Sequence, residues 1–260
     1  MIPEYPSDPL PLRPSLPLWR WLRSYVTALL DVFFPPRCAG CGAPGVPLCT
    51  TCIGRFRPVT APYCRICGQP LSHGNLCSPC RRGKFRHLVM ARSAAHFTPP
   101  LREVIHAFKY KGQTHLAEPL AAYMVSRVRP HALHADLVIP VPLHPARHRR
   151  RGYNQATLLA HHLAHALHLP LHPDALVRVR NTPPQVTLGL RERQENVRGA
   201  FQCRDRQAVQ GRRILLVDDV MTTGSTLEAC ADALAQAGAQ RVLAYVLARA
   251  TFAADRLPTA

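Results

Sequence analysis

The sequence predicts an α/β protein, a parallel sheet covered by helices and preceded by a small cysteine-rich module. Three observations lead there. Eight of the ten cysteines fall between Arg37 and Arg86, in four C-x2-C pairs. From His87 onward short apolar runs alternate with helix-length amphipathic stretches, the pattern of strands joined by crossover helices and buried on both faces. One such run, Ile214 to Val217, ends on two adjacent aspartates and a turn rich in hydroxyls. At 260 residues the chain fits one or two domains of about 100–200 residues each. Its 47% apolar content excludes a wholly disordered chain.

The elements follow in order. Met1 to Pro17 holds six prolines and no periodicity, so it reads as an extended arm. Leu18 to Phe34 is a short helix with Trp21, Val26, Leu29, Leu30 and Phe33 near one face, suited to docking on the body of the protein. Pro35-Pro36 ends it. Residues 37–86 form the cysteine module and 87–252 the α/β domain, leaving 253–260 as a tail. Within the domain, Leu101 to Phe108 reads as an amphipathic helix after Pro99-Pro100. Leu137 to Val141 is a strand, Ala156 to Leu169 a helix and Leu176 to Val179 strand-like. Ile214 to Val217 is the next strand, Thr226 to Ala237 a helix closed by Gly238, and Val242 to Leu247 a last strand. No run of about 18 apolar residues is present to cross a membrane, and the N-terminus lacks a cationic segment followed by an apolar one. The cytosol is the expected location, with any membrane contact made through partners.

Net charge is +18, but 30 of the 33 basic residues are Arg and only Lys84, Lys109 and Lys111 are Lys. With abundant Ala and Pro, this skew reflects coding bias in part. The remainder still favours phosphates or nucleic acid as partners.

The cysteine spacing is Cys38-x2-Cys41, Cys49-x2-Cys52, Cys64-x2-Cys67 and Cys77-x2-Cys80. Each C-x2-C turn directs two thiolates to one point, and two turns complete a tetrahedral site suited to zinc. Gly42 and Gly68 directly follow Cys41 and Cys67, where a tight knuckle needs positive φ. Disulfides do not fit a reducing compartment, and an iron–sulfur centre would use the same four thiolates. The reading is two structural zinc ions with sequential ligation, Cys38, Cys41, Cys49 and Cys52, then Cys64, Cys67, Cys77 and Cys80. A crossed pairing uses the same residues. Closed four-cysteine sites leave no position for substrate. Cys230 reads as a small core residue, and Cys203 is assigned nothing.

The segment Ile214-Leu-Leu-Val-Asp218-Asp219-Val-Met-Thr222-Thr223-Gly224-Ser225-Thr226 carries the most chemistry. Its strand brings two carboxylates to the C-terminal edge of a sheet, where open α/β folds bind ligands. The hydroxyl-rich turn then opens a helix whose first N–H groups suit a phosphate monoester. A sugar phosphate answers both features, its diol held by Asp218 and Asp219. A receiver domain would need a further Asp at another strand end. A Walker B strand would need a G-x4-G-K-[ST] loop, and the chain has neither.

This segment resembles the phosphoribosyl-pyrophosphate (PRPP) motif of type I phosphoribosyltransferases. Together with Phe34-Pro-Pro-Arg-Cys, the C-x2-C pairs, Phe108-Lys-Tyr-Lys-Gly112, Pro140-Val-Pro-Leu, Arg151-Gly-Tyr-Asn-Gln155, Thr182-Pro-Pro-Gln185 and R-x2-N-x2-G-A-F from Arg193, the chain from Asp31 to about Ala250 resembles the competence protein F (ComF/GntX) family. The resemblance implies a type I phosphoribosyltransferase-like parallel-sheet domain behind a double zinc ribbon. It assigns Asp218 and Asp219 to the ribose hydroxyls, and Thr222, Thr223, Gly224, Ser225 and Thr226 to the 5′-phosphate.

The remaining basic segments complete the expected site. Lys109 and Lys111 close the Leu101–Phe108 helix and are candidates for anion binding. Arg147, Arg149, Arg150 and Arg151, followed by Gly152, occupy the loop that cradles pyrophosphate in such enzymes, and guanidinium forks match diphosphate oxygens. Gln185, Arg193 and Asn196 occupy the position of the flexible catalytic loop, but no residue there is assigned as general acid or base. His161, His162, His165 and His168 read as a solvated helix face. The implied function is a cytosolic factor of natural transformation that handles imported single-stranded DNA and carries a PRPP site. Its partners would be PRPP, single-stranded DNA and other DNA-uptake proteins, with Mg²⁺ accompanying PRPP. The alternative is a working PRPP-dependent transferase of nucleotide metabolism.

Overall fold

The computed structural model describes residues 35–128, 133–181 and 197–250. The proline-rich arm, the Leu18–Phe34 helix, the tail, and Gln185, Arg193 and Asn196 lie outside the described residues.

The described chain begins with two short helices in the cysteine module, α1 (Thr50–Gly54) and α2 (Ser78–Arg81). There follow β1 (Leu88–His96), α3 (Leu101–Tyr110), α4 (Ala117–Arg127) and β2 (Leu137–Pro140). Helices α5 (Pro145–Arg151) and α6 (Gln155–Ala166) lead to β3 (Leu176–Arg178), β4 (Phe201–Cys203) and α7 (Arg206–Val209). The chain closes with β5 (Arg213–Met221), α8 (Ser225–Gln236) and β6 (Arg241–Arg249). Four strands form one sheet in the order β1-β6-β5-β2, while β3 and β4 pair by themselves in antiparallel fashion. All three pairings of the main sheet are parallel.

The expected parallel sheet is therefore present, with small shifts at the ends of its elements. Helices α6 and α8 each start one residue earlier than expected, and β5 runs on to Met221. Strand β1, like helix α4, strand β4 and helix α7, is an element the sequence reading does not name. Leu88-Val-Met-Ala-Arg-Ser-Ala-Ala-His lacks a clean alternation, and β6 holds it by pairing along its length. Eight of the nine β6 residues are buried, as both-face burial requires.

Two apolar clusters lie on opposite faces of this sheet. One packs α3, α4 and α6 against Leu215, Val217, Leu243 and Tyr245. The other packs α8 and the β3–β4 pair against Ile214, Leu216, Val242 and Ala244. Side chains in a strand alternate between faces, so consecutive β5 residues serve different clusters.

The cysteine module is joined to both. Cys38, Cys52, Leu48 and Phe56 belong to the α3–α4 side. Cys64, Cys67, Cys77 and Cys80 belong to the α8 side. Between them the chain runs along β1: His96 N donates to Arg57 O (2.8 Å), Val59 N to Ala94 O (3.3 Å) and Ala91 N to Ile66 O (2.6 Å). The module thus covers the open edge of the sheet, which would otherwise expose unpaired backbone groups. Gly68 takes φ 69°, and a Cβ there would sit 2.7 Å from Ala91 O. Glycine is required at that contact on both counts.

Candidate functional site

The alternation of β5 separates the two aspartates. Asp219 continues the Leu215–Val217 face and is met there by α3, whose Lys109 Nζ lies 2.8 Å from Asp219 Oδ1. Both ends are largely buried, with side chains 21% and 8% exposed. Burial, the largest influence on the Lys109 ammonium, lowers it, but the charge and hydrogen bond of Asp219, joined by Asp218, outweigh burial and raise it. Asp218 continues the opposite face, towards Cys230 and Arg178. Burial, then the charge of Asp219, pushes its carboxyl up to about 7, against the pull of Lys109 and Arg178. The strand extends past both acids to Met221, so they lie within its last four residues rather than beyond its end.

The hydroxyl-rich turn folds as a cradle. Gly224 is the N-cap of α8 at φ 81°, a left-handed conformation. Thr223 Oγ1 lies 2.9 Å from Ser225 Oγ and accepts from Ser225 N at 3.3 Å. Helix α8 runs twelve residues, and its first N–H groups face the turn without intrahelical acceptors. A Cβ on Gly224 would lie 2.6 Å from Met221 Cε and 2.8 Å from Phe85 Cζ, so the turn tolerates no side chain.

The basic segment expected as a loop winds instead into α5. His144 caps it by accepting from Ala146 N (3.2 Å), and Gly152 ends it at φ 85°. Its last turn holds His148, Arg149, Arg150 and Arg151, where cations suit the negative end of the helix dipole. Arg149 and Arg150 are exposed, and Arg151 lies over the Tyr110 ring at 5.2 Å. The next two residues lock this end in place: Tyr153 OH donates to Phe108 O, and Asn154 Nδ2 to Val141 O (3.0 Å). Val141 N in turn donates to Val217 O (2.9 Å). The end of α5, the end of α3 and the acidic pair therefore share one edge of the sheet. Lys111 lies exposed past the end of α3, and its neighbour Lys109 is engaged by Asp219.

Each group of four cysteines gathers in sequence order. Within each, the Sγ atoms lie within 4.8 Å of one another. Cys38–Cys49, Cys41–Cys49 and Cys67–Cys77 stand at 3.6, 3.8 and 3.6 Å. A tetrahedron of sulfurs about 2.3 Å from zinc has edges near ~3.8 Å, so both groups fit a zinc ion. Burial raises the Cys38 and Cys64 thiols, but backbone N–H bonds outweigh it and lower each to about 6, whereas burial and the neighbouring thiols push Cys52, Cys67 and Cys80 up, so full ionisation of either group needs the charge of a bound cation. The sequential pairing holds. His161, His162, His165 and His168 contribute to no such group among the described residues.

Several residues at the site carry no local signal. Arg178, on β3, lies over the Phe201 ring at 5.3 Å and acts on Asp218. Glu228 accepts from Arg86 N, His87 N and Leu88 N at 2.8–3.1 Å. Phe85 and Arg249 flank the cradle. Each is an isolated residue brought in by long-range packing. Only the position of Glu228, in the first turn of a helix expected to bind phosphate, hints at a structural task.

Comparison with known proteins bears on the two parts of the chain and on its family. Residues 29–81 match a double zinc ribbon domain and residues 153–256 a phosphoribosyl transferase domain. The chain is 35% identical over 216 residues to the DNA utilization protein YhgH of Escherichia coli strain K12, covering 78% of this chain and 90% of that one. It is 34% identical over 212 residues to competence protein F of Haemophilus influenzae, with the same coverage of both chains. Competence protein ComFC of Bacillus subtilis is 27% identical over 218 residues, 79% of this chain and 85% of that one. Among the described residues no helix is long and apolar enough to cross a membrane.

Proposed function

The chain belongs to the competence protein F family, and from that premise we propose that it is a cytosolic factor that binds PRPP and handles single-stranded DNA entering the cell. One observation carries the PRPP half: the acidic pair on β5 passes without a break into the glycine-capped cradle that opens α8. In this reading the 5′-phosphate lies on the first N–H groups of α8 among the hydroxyls of Thr222, Thr223, Ser225 and Thr226. Asp218 accepts hydrogen bonds from the ribose hydroxyls. Asp219 does so from the other face of the strand, its carboxylate held in one orientation by Lys109. The diphosphate, with its Mg²⁺, falls to Arg149, Arg150 and Arg151 at the end of α5, where Gly152 permits close approach.

The DNA half is supported by the names of the relatives and by a net charge of +18, with Arg149 and Arg150 exposed. The zinc ribbon is structural, and any further DNA-uptake protein would dock on surfaces away from the cradle. Titration of one preparation with Mg²⁺–PRPP and with a single-stranded oligonucleotide tests the reading. The native chain should bind both. Replacing Asp218 and Asp219 together with Asn should abolish PRPP binding and leave oligonucleotide binding intact. Unchanged PRPP affinity in that variant would refute the assignment. Release of pyrophosphate with any nucleobase would instead mark a working transferase.

A further inference from the structure

The second cysteine group and the phosphate cradle share a wall. All four cysteines of this group are buried, whereas Cys41 of the first is exposed and Cys49 half-buried. Arg249, at the end of β6 and only 5% exposed, links the two features. Its Nη1 donates to Cys67 O at 2.6 Å and lies 3.4 Å from Met221 Sδ, and its Nη2 lies 3.8 Å from Cys67 Sγ. Met221 is one of the two side chains closing on Gly224.

The other is Phe85, which leaves the second knuckle five residues after Cys80. It is fixed from both sides: Lys84 N donates to Pro79 O (3.1 Å) inside the knuckle, while Glu228 of α8 holds the next three backbone N–H groups. Lys84 Nζ stands over the Phe85 ring at 5.4 Å. Four thiolates around one zinc carry a net charge of about −2, a poor neighbour for a phosphate. Lys84 and Arg249 both interact with the thiols of this group, and they offset that charge on the side facing the cradle.

We propose that the second zinc site, acting through Phe85 and Arg249, positions the Thr222–Thr226 cradle and so sets its affinity for the phosphate of a sugar phosphate, while the first zinc site does not. This rests on reading the cradle as the PRPP phosphate site. Phe85 and Arg249 are positioning residues, since neither needs to touch the ligand. The supporting group resembles the packed shells that hold a functional loop in one geometry.

The test uses the full chain, with zinc content measured by elemental analysis and affinity by titration with Mg²⁺–PRPP and with ribose 5-phosphate. Phe85→Ala should keep both zinc ions and weaken both ligands about tenfold, with Phe85→Leu recovering most of the loss. Cys80→Ser should lose one zinc and weaken both ligands to a similar degree. Cys41→Ser should also lose one zinc but keep affinity within about twofold. Native affinity in Phe85→Ala, or equal losses in the two cysteine variants, overturns the proposal and leaves the PRPP reading standing. If Cys80→Ser does not fold, Phe85→Ala alone decides. A native chain that binds neither ligand overturns the PRPP reading and the proposal together.

Discussion

Replacing Lys109 with Met keeps the length and apolar stem of the side chain and removes its charge. At 2.8 Å, the pair attracts by about 6 kcal/mol at an effective dielectric of about 20. Most of that offsets the desolvation of the two ions, and removing one partner leaves the other charge buried. Such losses run to about 3–5 kcal/mol. Because Lys109 keeps some contact with water, the lower end applies, about 3 kcal/mol. At about 2–4 °C for each kcal/mol in a domain of this size, the melting temperature should fall by about 6–12 °C. Urea unfolding gives the free energy directly. The discriminating arm is the double variant Lys109→Met with Asp219→Asn, which removes the stranded charge and should recover more than half the lost stability. PRPP binding should be weak in both variants, because Lys109 orients Asp219 and Asp219 is itself read as a ribose ligand. A loss below about 0.5 kcal/mol in the single variant would mean an ordinary exposed ion pair, and a double variant no more stable than the single one would refute the reasoning.

Other outcomes follow from the same geometry. The Asp218 carboxyl sits near 7 in the folded chain, above its unfolded value, so its contribution to stability is full below about pH 4 and is lost as the pH rises through about 7. Asp218→Asn should therefore flatten the decline in melting temperature between about pH 4 and about pH 7. A decline of the same slope in the variant would exclude Asp218 as its source. The purified protein should hold close to two zinc ions, and Cys64→Ser should lose about one together with local folding; a metal-free, disulfide-bonded protein would end that reading. Replacing Arg149, Arg150 and Arg151 together with Ala should lower the salt dependence of single-strand binding by up to about 2 units and weaken PRPP. The same change at exposed Arg55, Arg57 and Arg65 should do less to both. Equal losses in the two triple variants, with DNA and PRPP binding at once, would make the α5 arginines ordinary surface.

The parts of the site that the sequence discloses are those written in local spacing. C-x2-C pairs dictate where sulfurs converge whatever surrounds them, and positive φ at Gly42 and Gly68 follows from the same knuckle. The run from Ile214 to Thr226 is likewise one continuous strand, turn and helix start. Lys109 was legible as a cation of interest, but not as the partner of Asp219. That pairing depends on which sheet face α3 covers, and no spacing in the chain records it. Arg178, Phe85 and Arg249 were silent for the same reason. Arg147 to Arg151 were legible as a basic cluster but not as a helix. Pro145 at its first turn and Gly152 just past its end mark the helix in hindsight, and the density of charge masked them. Strand β1 went unannounced because its order comes from β6 and the cysteine module rather than from its own pattern.

That last dependence has a practical consequence for anyone dividing the gene. The familiar place to cut would be just before His87, freeing the α/β half from its metal-binding preface. Such a truncation would strip the outer rim of the sheet of Arg57, Val59 and Ile66, bare apolar patches on both of its broad sides, and take from Glu228 the Arg86 amide, one of the three it holds. The fragment should emerge insoluble or paired with its own copies through the naked rim. The two segments matched by separate sequence families share both apolar clusters of one sheet, and expression, swapping or directed evolution has to treat them as one.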